Sequence, residues 1–506
     1  MRTLTGPTDH VVIVGAGLSG LSAALHLLGA GRRVTVLEAA EVPGGRMGRL
    51  DLGGYRIDTG PTVLTMPALI DDALHAVGTS LADAVTLHRL DPAYHARFAE
   101  GSAINVYTDA DAMEPEIRDT VSAADATGYR ALRAWLTAMY NAEIGPFIGA
   151  NFDSPLDMVD SRAALSALAR FVRLGGLSSL AGKVGSFVQD ERLRRIFTFQ
   201  ALYAGVSPWQ ARAAYGVIAY MDTVAGVYFP DGGMHAVARA MADALLAAGG
   251  TLELGCAVTS LEITGSQVRA VCTGAERRVA CDAVVLTPDL PQVDALLGHP
   301  HRRRTGTRWA PSAVVLHGGV PSEVAARWPG TTHHTIDFGA AWKQTFTEII
   351  ANGRPGRGRL MSDPSLLVSR PTCTDPSLAP VGHELCYVLA PCPNLCTAPL
   401  DWDQLGQAYR AELLGVLERR GYTGIAENLT VHELVTPADW AAQGMAVGTP
   451  FSAAHTVSQT GPFRRRNMVS GLDNVVLAGC GTTPGVGVPT AVISGRLAAQ
   501  RILGNR

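Results

Sequence analysis

Three glycines near the start of the chain have the spacing of a loop that holds phosphate groups. Gly15, Gly17 and Gly20 form G-x-G-x-x-G between the apolar run 11–14 and the segment 21–28, whose apolar residues have helical spacing. An apolar run that ends in glycine predicts a buried parallel strand. In such a unit the glycines allow a tight turn, admit a pyrophosphate and let the helix pack closely, while the helix N-terminus offers free N–H groups. The pattern predicts a dinucleotide site.

An acidic residue follows this loop at the distance that ribose recognition requires. The apolar run 34–37 predicts a second strand, and Glu38 comes directly after it. A carboxylate at this position accepts hydrogen bonds from ribose hydroxyls and repels a 2′-phosphate. The loop and Glu38 together fit both FAD and NAD.

A second glycine motif separates these two cofactors. Residues 43–46 read PGGR, and residues 58–62 read DTGPT. A glycine doublet so close to the first motif predicts another pass of the backbone across the same cofactor, where Arg46 offsets charge and donates hydrogen bonds. This pattern favours FAD. The alternative interpretation is a surface turn with a solvated arginine.

A further glycine-rich loop lies close to the C-terminus. Residues 475–495 read VVLAGCGTTPGVGVPTAVISG, which is an apolar run, a loop with several glycines and prolines, and a second apolar stretch. Pro489 suits the first turn of a helix, because its missing N–H costs little there. So many conformationally special residues predict that the backbone of this loop approaches a ligand closely.

Composition argues against several other classes of function. The chain has 506 residues, which predicts two or more domains, and its formal net charge of −3 argues against a nucleic-acid partner. Its eight cysteines form no C-x-x-C pair, which predicts reduced, buried thiols. Cys386, Cys392 and Cys396 lie near His383, but their spacing matches no zinc pattern, and no metal site is predicted. Residues 11–31 carry no formal charge, yet their glycine spacing fits a dinucleotide site better than a membrane span.

Taken together, the motifs resemble those of a known group of enzymes. The G-x-G-x-x-G loop, residues 44–46 and residues 58–62 are similar to the FAD-dependent amine oxidase and phytoene desaturase superfamily. The more specific resemblance is to bacterial-type phytoene desaturases, and it covers nearly the whole chain. It is carried by 60–63 (GPTV), 227–234 (VYFPDGGM), 387–391 (YVLAP), Phe463-Arg464 with Asn467, and 481–489 (GTTPGVGVP). The chain departs from the family pattern at Pro462, Cys480 and Thr483, where an aromatic residue, alanine and histidine are common.

The resemblance implies FAD as the cofactor, held by distant parts of the chain. Val258 resembles the family position whose backbone meets the adenine, and the helix after the C-terminal loop is expected to aim its amides at the N1/O2 edge of the flavin. The implied cofactor-binding residues are Gly15, Ala16, Gly17, Ser19, Gly20, Glu38, Ala39, Gly44, Gly45, Arg46, Gly60, Pro61, Thr62, Val63, Val258, Gly479, Gly487, Val488 and Pro489.

The implied fold class is α/β, with a Rossmann-like FAD-binding domain built from discontinuous segments. We predict that this domain comprises residues 8–95, 228–292 and 471–506. A mainly helical region at 96–227 and a mixed-sheet substrate-binding domain at 293–470 separate these segments. Strands are predicted at 313–316, 385–389 and 474–478, and helices at 234–248, 402–419 and from about Pro489 onward.

One segment of the helical region has the composition of a membrane-surface helix. No acidic residue occurs between Ser161 and Gln189, while arginines punctuate a run of leucine, alanine, valine and phenylalanine. A basic amphipathic stretch of this kind suits the surface of an anionic membrane. The alternative is an ordinary helix that packs on the flavin domain. We predict a cytoplasmic protein associated peripherally with the inner face of the cell membrane.

The resemblance implies FAD-dependent desaturation of an acyclic carotene, with phytoene as the expected substrate and oxygen or a quinone as the electron acceptor. No side chain accepts hydride, so the flavin must do so. Asp222, Glu348 and His455 are candidates for a base, but no catalytic residue is assigned. His333-His334 is better explained by a polar strand or loop than by metal binding.

Several alternatives share the same motifs. A related desaturase, isomerase or ketolase acting on a later carotenoid would differ only in its substrate cavity. A flavin amine oxidase would usually need an aromatic cage and a lysine near the flavin, but Lys183 and Lys343 are the only lysines of the chain. A non-enzymatic isoprenoid-binding protein would have no use for Glu38, Arg46 and the C-terminal loop.

Overall fold

The computed structural model describes residues 2–274, 277–299, 306–330 and 332–504. Residues 300–305 of the predicted substrate-binding domain, residues 275–276 of the second predicted flavin segment and the last two residues of the third lie outside these ranges. No helix within the described residues is both long enough and apolar enough to cross a bilayer.

The strands fall into five sheets. In chain order they are β1 His10–Val14, β2 Arg33–Leu37, β3 Arg49–Leu52, β4 Tyr55–Asp58, β5 Leu64–Thr65, β6 Leu87–Arg89, β7 Tyr94–Phe98, β8 Ala103–Val106, β9 Val227–Pro230, β10 Thr251–Glu253, β11 Val258–Thr264, β12 Gln267–Thr273, β13 Arg278–Ala280, β14 Ala283–Leu286, β15 Ser312–Pro321, β16 His334–Phe338, β17 Leu366–Ser369, β18 His383–Cys392, β19 Thr430–Val435 and β20 Val475–Leu477.

The α-helices surround these sheets. They are α1 Leu18–Gly29, α2 Ala68–His75, α3 Leu81–Ala84, α4 Ala110–Thr120, α5 Ala123–Glu143, α6 Arg162–Arg173, α7 Leu180–Gly185, α8 Glu191–Ile196, α9 Gly216–Tyr220, α10 His235–Ala247, α11 Leu290–Leu296, α12 Ser322–Ala325, α13 Trp342–Ile350, α14 Trp402–Arg419, α15 Ile425–Asn428, α16 Pro437–Ala442 and α17 Val488–Leu503.

The first sheet is parallel and joins the two ends of the chain. Its strand order is β10-β2-β1-β14-β20, and every neighbouring pair is parallel. Its central strands read as continuous apolar runs because both faces are covered. Helices α1, α10 and α17 pack on one face, and the antiparallel sheet β11-β12-β13 packs on the other. The carboxyl ends of all five strands therefore meet at one edge, which is where an open α/β sheet binds its ligand.

The second large sheet is mixed and has seven strands in the order β19-β15-β18-β17-β16-β7-β8. Strands β15 and β18 pair over their full length, from Ser312 opposite Cys392 to Pro321 opposite His383. This pairing extends both strands beyond the predicted 313–316 and 385–389. The mixed α/β architecture expected from the sequence is confirmed.

The helical part of the chain begins later than residue 96, where we predicted it. Residues 94–106 form β7 and β8, which belong to the seven-stranded sheet, and the first helix of the region starts at Ala110. Strand β7 pairs in parallel with β16, and Phe98 stacks on Phe338 at 5.2 Å between ring centroids. A partner some 240 residues away cannot be read from local periodicity. The predicted helices 402–419 and 234–248 agree with α14 and, within one residue at each end, α10.

Candidate active site

The phosphate-loop motif forms the turn between β1 and α1. A Cβ on Gly20 would overlap the carbonyl oxygen of Gly15, so only glycine lets the helix lie this close to the strand. Helix α1 begins at Leu18 and has no capping side chain at Gly17. The N–H groups of its first turn therefore remain available to an anion at the sheet edge.

Two backbone N–H groups hold the Glu38 carboxylate at this edge of the sheet. Its Oε2 accepts a hydrogen bond from the N–H of Ala16 at 2.6 Å, and its Oε1 accepts one from the N–H of Ala40 at 2.9 Å. Both bonds orient the carboxylate at the end of β2, where it lies on the cavity wall beside Gly15 and Gly17. Each oxygen keeps acceptor capacity for a hydroxyl.

The second glycine motif lies directly against the first. Gly17 and Gly44 form an isolated parallel bridge, and the N–H of Gly44 donates to the Ala16 carbonyl at 2.9 Å. A Cβ on Gly45 would lie 3.2 Å from the Cα of Gly17. The two motifs thus make one continuous backbone surface. Arg46 extends from it, and its Nη2 donates to Asp289 Oδ2 at 3.2 Å.

The C-terminal loop completes the wall from the opposite end of the chain. Strand β20 pairs with β14, so the loop leaves the same sheet edge as the phosphate loop. Gly487 has φ +124°, a value that L side chains rarely adopt, and α17 starts at Val488 without a capping side chain. Ser494 of α17 joins two residues of the loop, because its Oγ accepts from the N–H of Gly479 at 3.0 Å and donates to the Thr483 carbonyl at 2.7 Å.

A buried arginine supports this loop from behind. Arg464 is 3% exposed, and its guanidinium donates to the carbonyls of Thr482 at 2.9 Å and Cys480 at 2.6 Å. Two further bonds at 3.2 Å reach the carbonyls of Ala453 and Gln459. Burial lowers the pKa of Arg464 to about 10, so it remains a cation at neutral pH. Arg464 is therefore, with Ser494, one of the side chains that hold the loop in its conformation.

These parts surround one cavity of about 1530 Å³. All the predicted cofactor residues line it except Ala16 and Gly20, which lie beneath its surface and hold the phosphate loop in shape. The motif glycines, Glu38, Arg46, Val258 and the loop residues are thus brought together from three distant parts of the sequence. Ligand pockets usually measure about 300–1,000 Å³. This cavity has room for more than one ligand.

Sequence reasoning missed some residues of the same wall. Thr287, Pro288 and Asp289 follow β14 and line the cavity, and Asp289 pairs with Arg46 while also accepting from the N–H groups of Leu290 and Ala446. The apolar run 283–286 could have identified these residues, because it predicts a strand of the same parallel sheet and they follow its carboxyl end. Cys480 and Thr483, the two departures from the family pattern, also lie on this wall.

The candidate bases are distributed unevenly. Asp222 and His455 line the cavity, whereas Glu348 lies elsewhere and binds Gln344 and the N–H of Ser362. Burial raises the pKa of Asp222 to about 8 and lowers that of His455 well below its ordinary value. His334 is the first residue of β16, His333 lies in the bend directly before this strand, and both side chains are buried, in line with the predicted polar strand or loop.

The described residues contain no cluster of three or more side chains able to hold a metal ion. Cys386 and Cys392 are buried free thiols, and Cys396 is exposed.

The residues present suit FAD. Two uncapped helix N-termini reach the cavity, and both belong to long helices whose dipoles favour negative charge. Arg46 Nε is buried without a hydrogen-bond partner among the described residues, and the glycine surface at Gly17 and Gly45 presents bare backbone to the cavity. Phosphates, a ribose and a flavin edge would satisfy these groups.

Comparison with known proteins decides the family. Residues 18–503 match the pattern of the family described as flavin containing amine oxidoreductase. The chain belongs to this family. It is 59% identical to a phytoene dehydrogenase of Streptomyces griseus, over 100% of this chain and 97% of the relative. It is 33% identical to a zeta-carotene-forming phytoene desaturase of Myxococcus xanthus, over 98% and 94%. The predicted resemblance is confirmed, and the chain is an FAD-dependent oxidoreductase of the phytoene desaturase group.

Solved structures agree on the fold. An oxidoreductase from Methanosarcina mazei has a TM-score of 0.62 with this chain, at 16% sequence identity, over 96% of this chain and 99% of the other. At such low identity the likeness concerns the architecture alone.

Removing the carboxylate of Glu38 should weaken FAD binding while leaving the fold intact. A hydrogen bond to a charged group contributes about 1.5–3 kcal/mol, which corresponds to a roughly 10- to 100-fold higher dissociation constant. Glu38→Ala is compared with Glu41→Ala, because Glu41 is exposed on the same loop. Fluorescence titration of the apoprotein with FAD gives both constants. Equal dissociation constants of the two variants for FAD would mean that the ribose does not bind at Glu38.

Proposed function

We propose that this chain desaturates phytoene, an acyclic carotene, as a step of carotenoid biosynthesis. The observation that carries the proposal is the composition of the cavity beyond the cofactor wall. One side of it is the face of the seven-stranded sheet, and the other is formed by apolar side chains of the helical region. The apolar residues are Ala313, Val315, Leu367, Leu389, Pro391, Phe147, Ile148, Phe152, Met158 and Phe171.

Such a lining selects a long hydrocarbon. Alternate residues on β15, β17 and β18 point to the same side of the sheet, and the register places Val315 opposite Leu389 and Ala313 opposite Pro391. These apolar side chains bury hydrocarbon at about 25 cal/mol per Å². The relatives named for phytoene support the same substrate.

We further propose that the predicted residues of the cofactor wall hold the FAD, with Glu38 at the ribose and the start of α17 at the flavin. When bound, FAD would supply the acceptor for the hydride, which carries both of the electrons that leave the substrate. The chain excludes water with its apolar wall, and it orients the hydrocarbon along the sheet so that successive carbons can reach the same position.

The test is a product profile. Purified protein with its FAD content measured is incubated with phytoene in liposomes, and in parallel with neurosporene, and the products are separated by chromatography. New conjugated products from phytoene support the proposal and count the double bonds introduced. Conversion of neurosporene alone would assign a later step of the pathway. No conversion of either carotene by flavin-loaded protein would refute the substrate assignment.

The substrate must be reached in a membrane, and we propose that α6 and its neighbours dock there from the cytoplasmic side. Helix α6 has no buried residue, and it packs against α5. Five apolar side chains on and beside α6 are between 42% and 73% exposed, namely Leu156, Val159, Leu165, Val172 and Leu177. Leu177 also lines the cavity. The exposed arginines of α6 suit anionic headgroups.

Charge on this surface should abolish docking. The double variant Leu165→Glu/Val172→Glu is expected to lose flotation with phosphatidylglycerol vesicles, because each buried apolar side chain contributes about 1.5–3 kcal/mol and a carboxylate repels the headgroups. Leu246→Glu on α10 is the matched control, since Leu246 is 49% exposed and lies outside the helical region. Unchanged flotation of the double variant would exclude α6 as the docking surface.

A further inference from the structure

Two acidic side chains lie on the apolar part of the cavity wall, outside the predicted cofactor site. Glu143 ends α5, and Asp222 lies in a π-helical turn formed by Met221–Ala225. Such turns occur frequently at functional sites. Placing a carboxyl group beside hydrocarbon costs free energy, because burial penalises its charged form. Such a cost at two positions of the wall points to a functional role for at least one of them.

Asp222 has a neutral hydrogen-bond donor and no cation. Gln200 Nε2 donates to Asp222 Oδ2 at 3.1 Å, and the same nitrogen is held by the Ile196 carbonyl at 2.9 Å. None of the ion pairs in the described part of the chain includes Asp222. The titratable groups that face it are the phenols of Tyr94 and Tyr203, and the Asp222 charge contributes to raising the pKa of both. Its ionised form is therefore stabilised only partly.

The other candidate bases of the wall are poorer. The N–H of Val486 donates to His455 Nε2 at 3.4 Å, so the lone pair of this nitrogen is already engaged. Burial also lowers the pKa of His455. His334 Nδ1 bonds Ser369 Oγ at 2.8 Å, and burial lowers its pKa to about 3. Glu143 Oε1 has no partner among the described residues, and burial raises its pKa well above the ordinary value. Burial thus disfavours the ionised form of Glu143, and its Oε1 has no described donor that would offset this.

Asp222 also lies close to the predicted flavin stretch. Residues 60–63 run directly into β5, which contacts the π-helical turn and pairs with β9, the strand that follows this turn. Met221, Asp222, Val227 and Thr65 all line the cavity. The carboxyl group thus faces the substrate side of the cavity, one short strand away from the residues assigned to the cofactor.

We propose that the Asp222 carboxylate accepts the proton released in each desaturation. The inference rests on the proposed function. One carbon gives up hydrogen with both electrons of its C–H bond to the cofactor, which leaves positive charge on the hydrocarbon. The neighbouring C–H bond then breaks, its electron pair forms the new double bond, and its proton moves to an Asp222 oxygen. Positive charge on the substrate favours the ionised carboxylate at that moment.

Activity should therefore rise with pH through the titration of Asp222. A raised pKa near 8 leaves only a minority of the carboxylate ionised at neutral pH, and the ionised fraction grows above it. Asp222→Asn should lower turnover of phytoene by roughly 10²- to 10⁴-fold, the usual contribution of a general base, and flatten this alkaline rise. Asp222→Glu should recover part of the activity, and Asp243→Asn, which changes an exposed carboxylate of α10 outside the cavity, should keep both the rate and the rise.

A second variant keeps the proposal testable if Asp222→Asn loses its fold or its FAD. Gln200→Met removes the donor that stabilises the ionised carboxylate, so the alkaline rise should move to higher pH while the maximal rate is retained. An unmoved profile would overturn the proposal, as would a wild-type rate in folded, flavin-loaded Asp222→Asn. A wild-type protein that leaves phytoene unchanged would instead refute the proposed function.

Binding of a cationic alkyl chain gives a readout independent of turnover. Decyltrimethylammonium, used below its micelle concentration, places a positive charge on a hydrocarbon, as the reacting carotene does. Calorimetric titration at pH 9 should show at least tenfold weaker binding to Asp222→Asn than to wild type or Glu143→Gln. Equal binding by all three proteins, or a loss in Glu143→Gln alone, would contradict the assignment.

Discussion

Gly487→Val should produce a folded protein that no longer retains FAD. Gly487 has φ +124° and ψ 158°, a combination essentially restricted to glycine, and a side chain there costs about 1–3 kcal/mol of strain. The added Cβ would also lie 3.1 Å from Thr490 Oγ1, whose bond to the Gly487 carbonyl shapes the first turn of α17. The start of α17 must then move away from the cavity, and its free N–H groups move with it.

The measurement is the ratio of flavin absorbance to protein after gel filtration, with far-UV circular dichroism as the test of folding. Gly265→Val is the matched control, because Gly265 also has a positive φ, at +61°, but lies in the turn between β11 and β12 with open space around it. This control places a valine at another positive φ without touching the cavity. Full FAD occupancy in Gly487→Val would contradict the proposal that the flavin binds beside the C-terminal loop.

Arg464→Met should destabilise the whole protein and release FAD. The substitution keeps the length and apolar stem of the side chain but leaves the four backbone carbonyls without their donor. A buried acceptor that loses its partner costs about 1–3 kcal/mol, and partial relaxation limits the total to about 3–5 kcal/mol. Because two of these carbonyls belong to the C-terminal loop, cofactor loss should accompany the lower stability.

Thermal unfolding followed by circular dichroism, with and without added FAD, measures both effects. Arg466→Met serves as the control, since Arg466 is exposed two residues farther along the same segment. We expect its unfolding temperature to match that of the wild type. Equal unfolding temperatures for the two variants would mean that the loop does not depend on Arg464.

Much of the cofactor wall could be predicted because its backbone must approach the ligand or adopt conformations that other residues rarely adopt. Only glycine meets these requirements, so they are visible in the sequence as glycine motifs. The contact of Gly45 with Gly17, the packing at Gly20 and the positive φ of Gly487 each require glycine, and each left a motif in the sequence. The union of chain ends some 460 residues apart was implied by the family resemblance. In the structure it follows from β1 and β20 both pairing with β14.

The substrate side could not be predicted in the same detail. Its wall is made of ordinary leucine, valine and phenylalanine, whose positions depend on non-local strand pairing. Strand β7 illustrates this, because it joins β16 across the sheet, whereas the prediction divided it between the flavin domain and the helical region at residue 96. Asp222 illustrates it further, since nothing in its neighbouring sequence distinguishes a buried carboxyl from a solvated one. Only the packing of Gln200, Tyr94 and Tyr203 around it does so.

An anaerobic single turnover tests most directly whether this chain passes electrons from phytoene to bound FAD. Flavin-loaded protein is mixed with phytoene in liposomes without oxygen or quinone. We expect bleaching of the oxidised flavin absorbance together with one new double bond for each flavin reduced. Flavin that stays oxidised in the presence of excess phytoene, while the protein remains folded and fully loaded, would show that phytoene is not the electron donor.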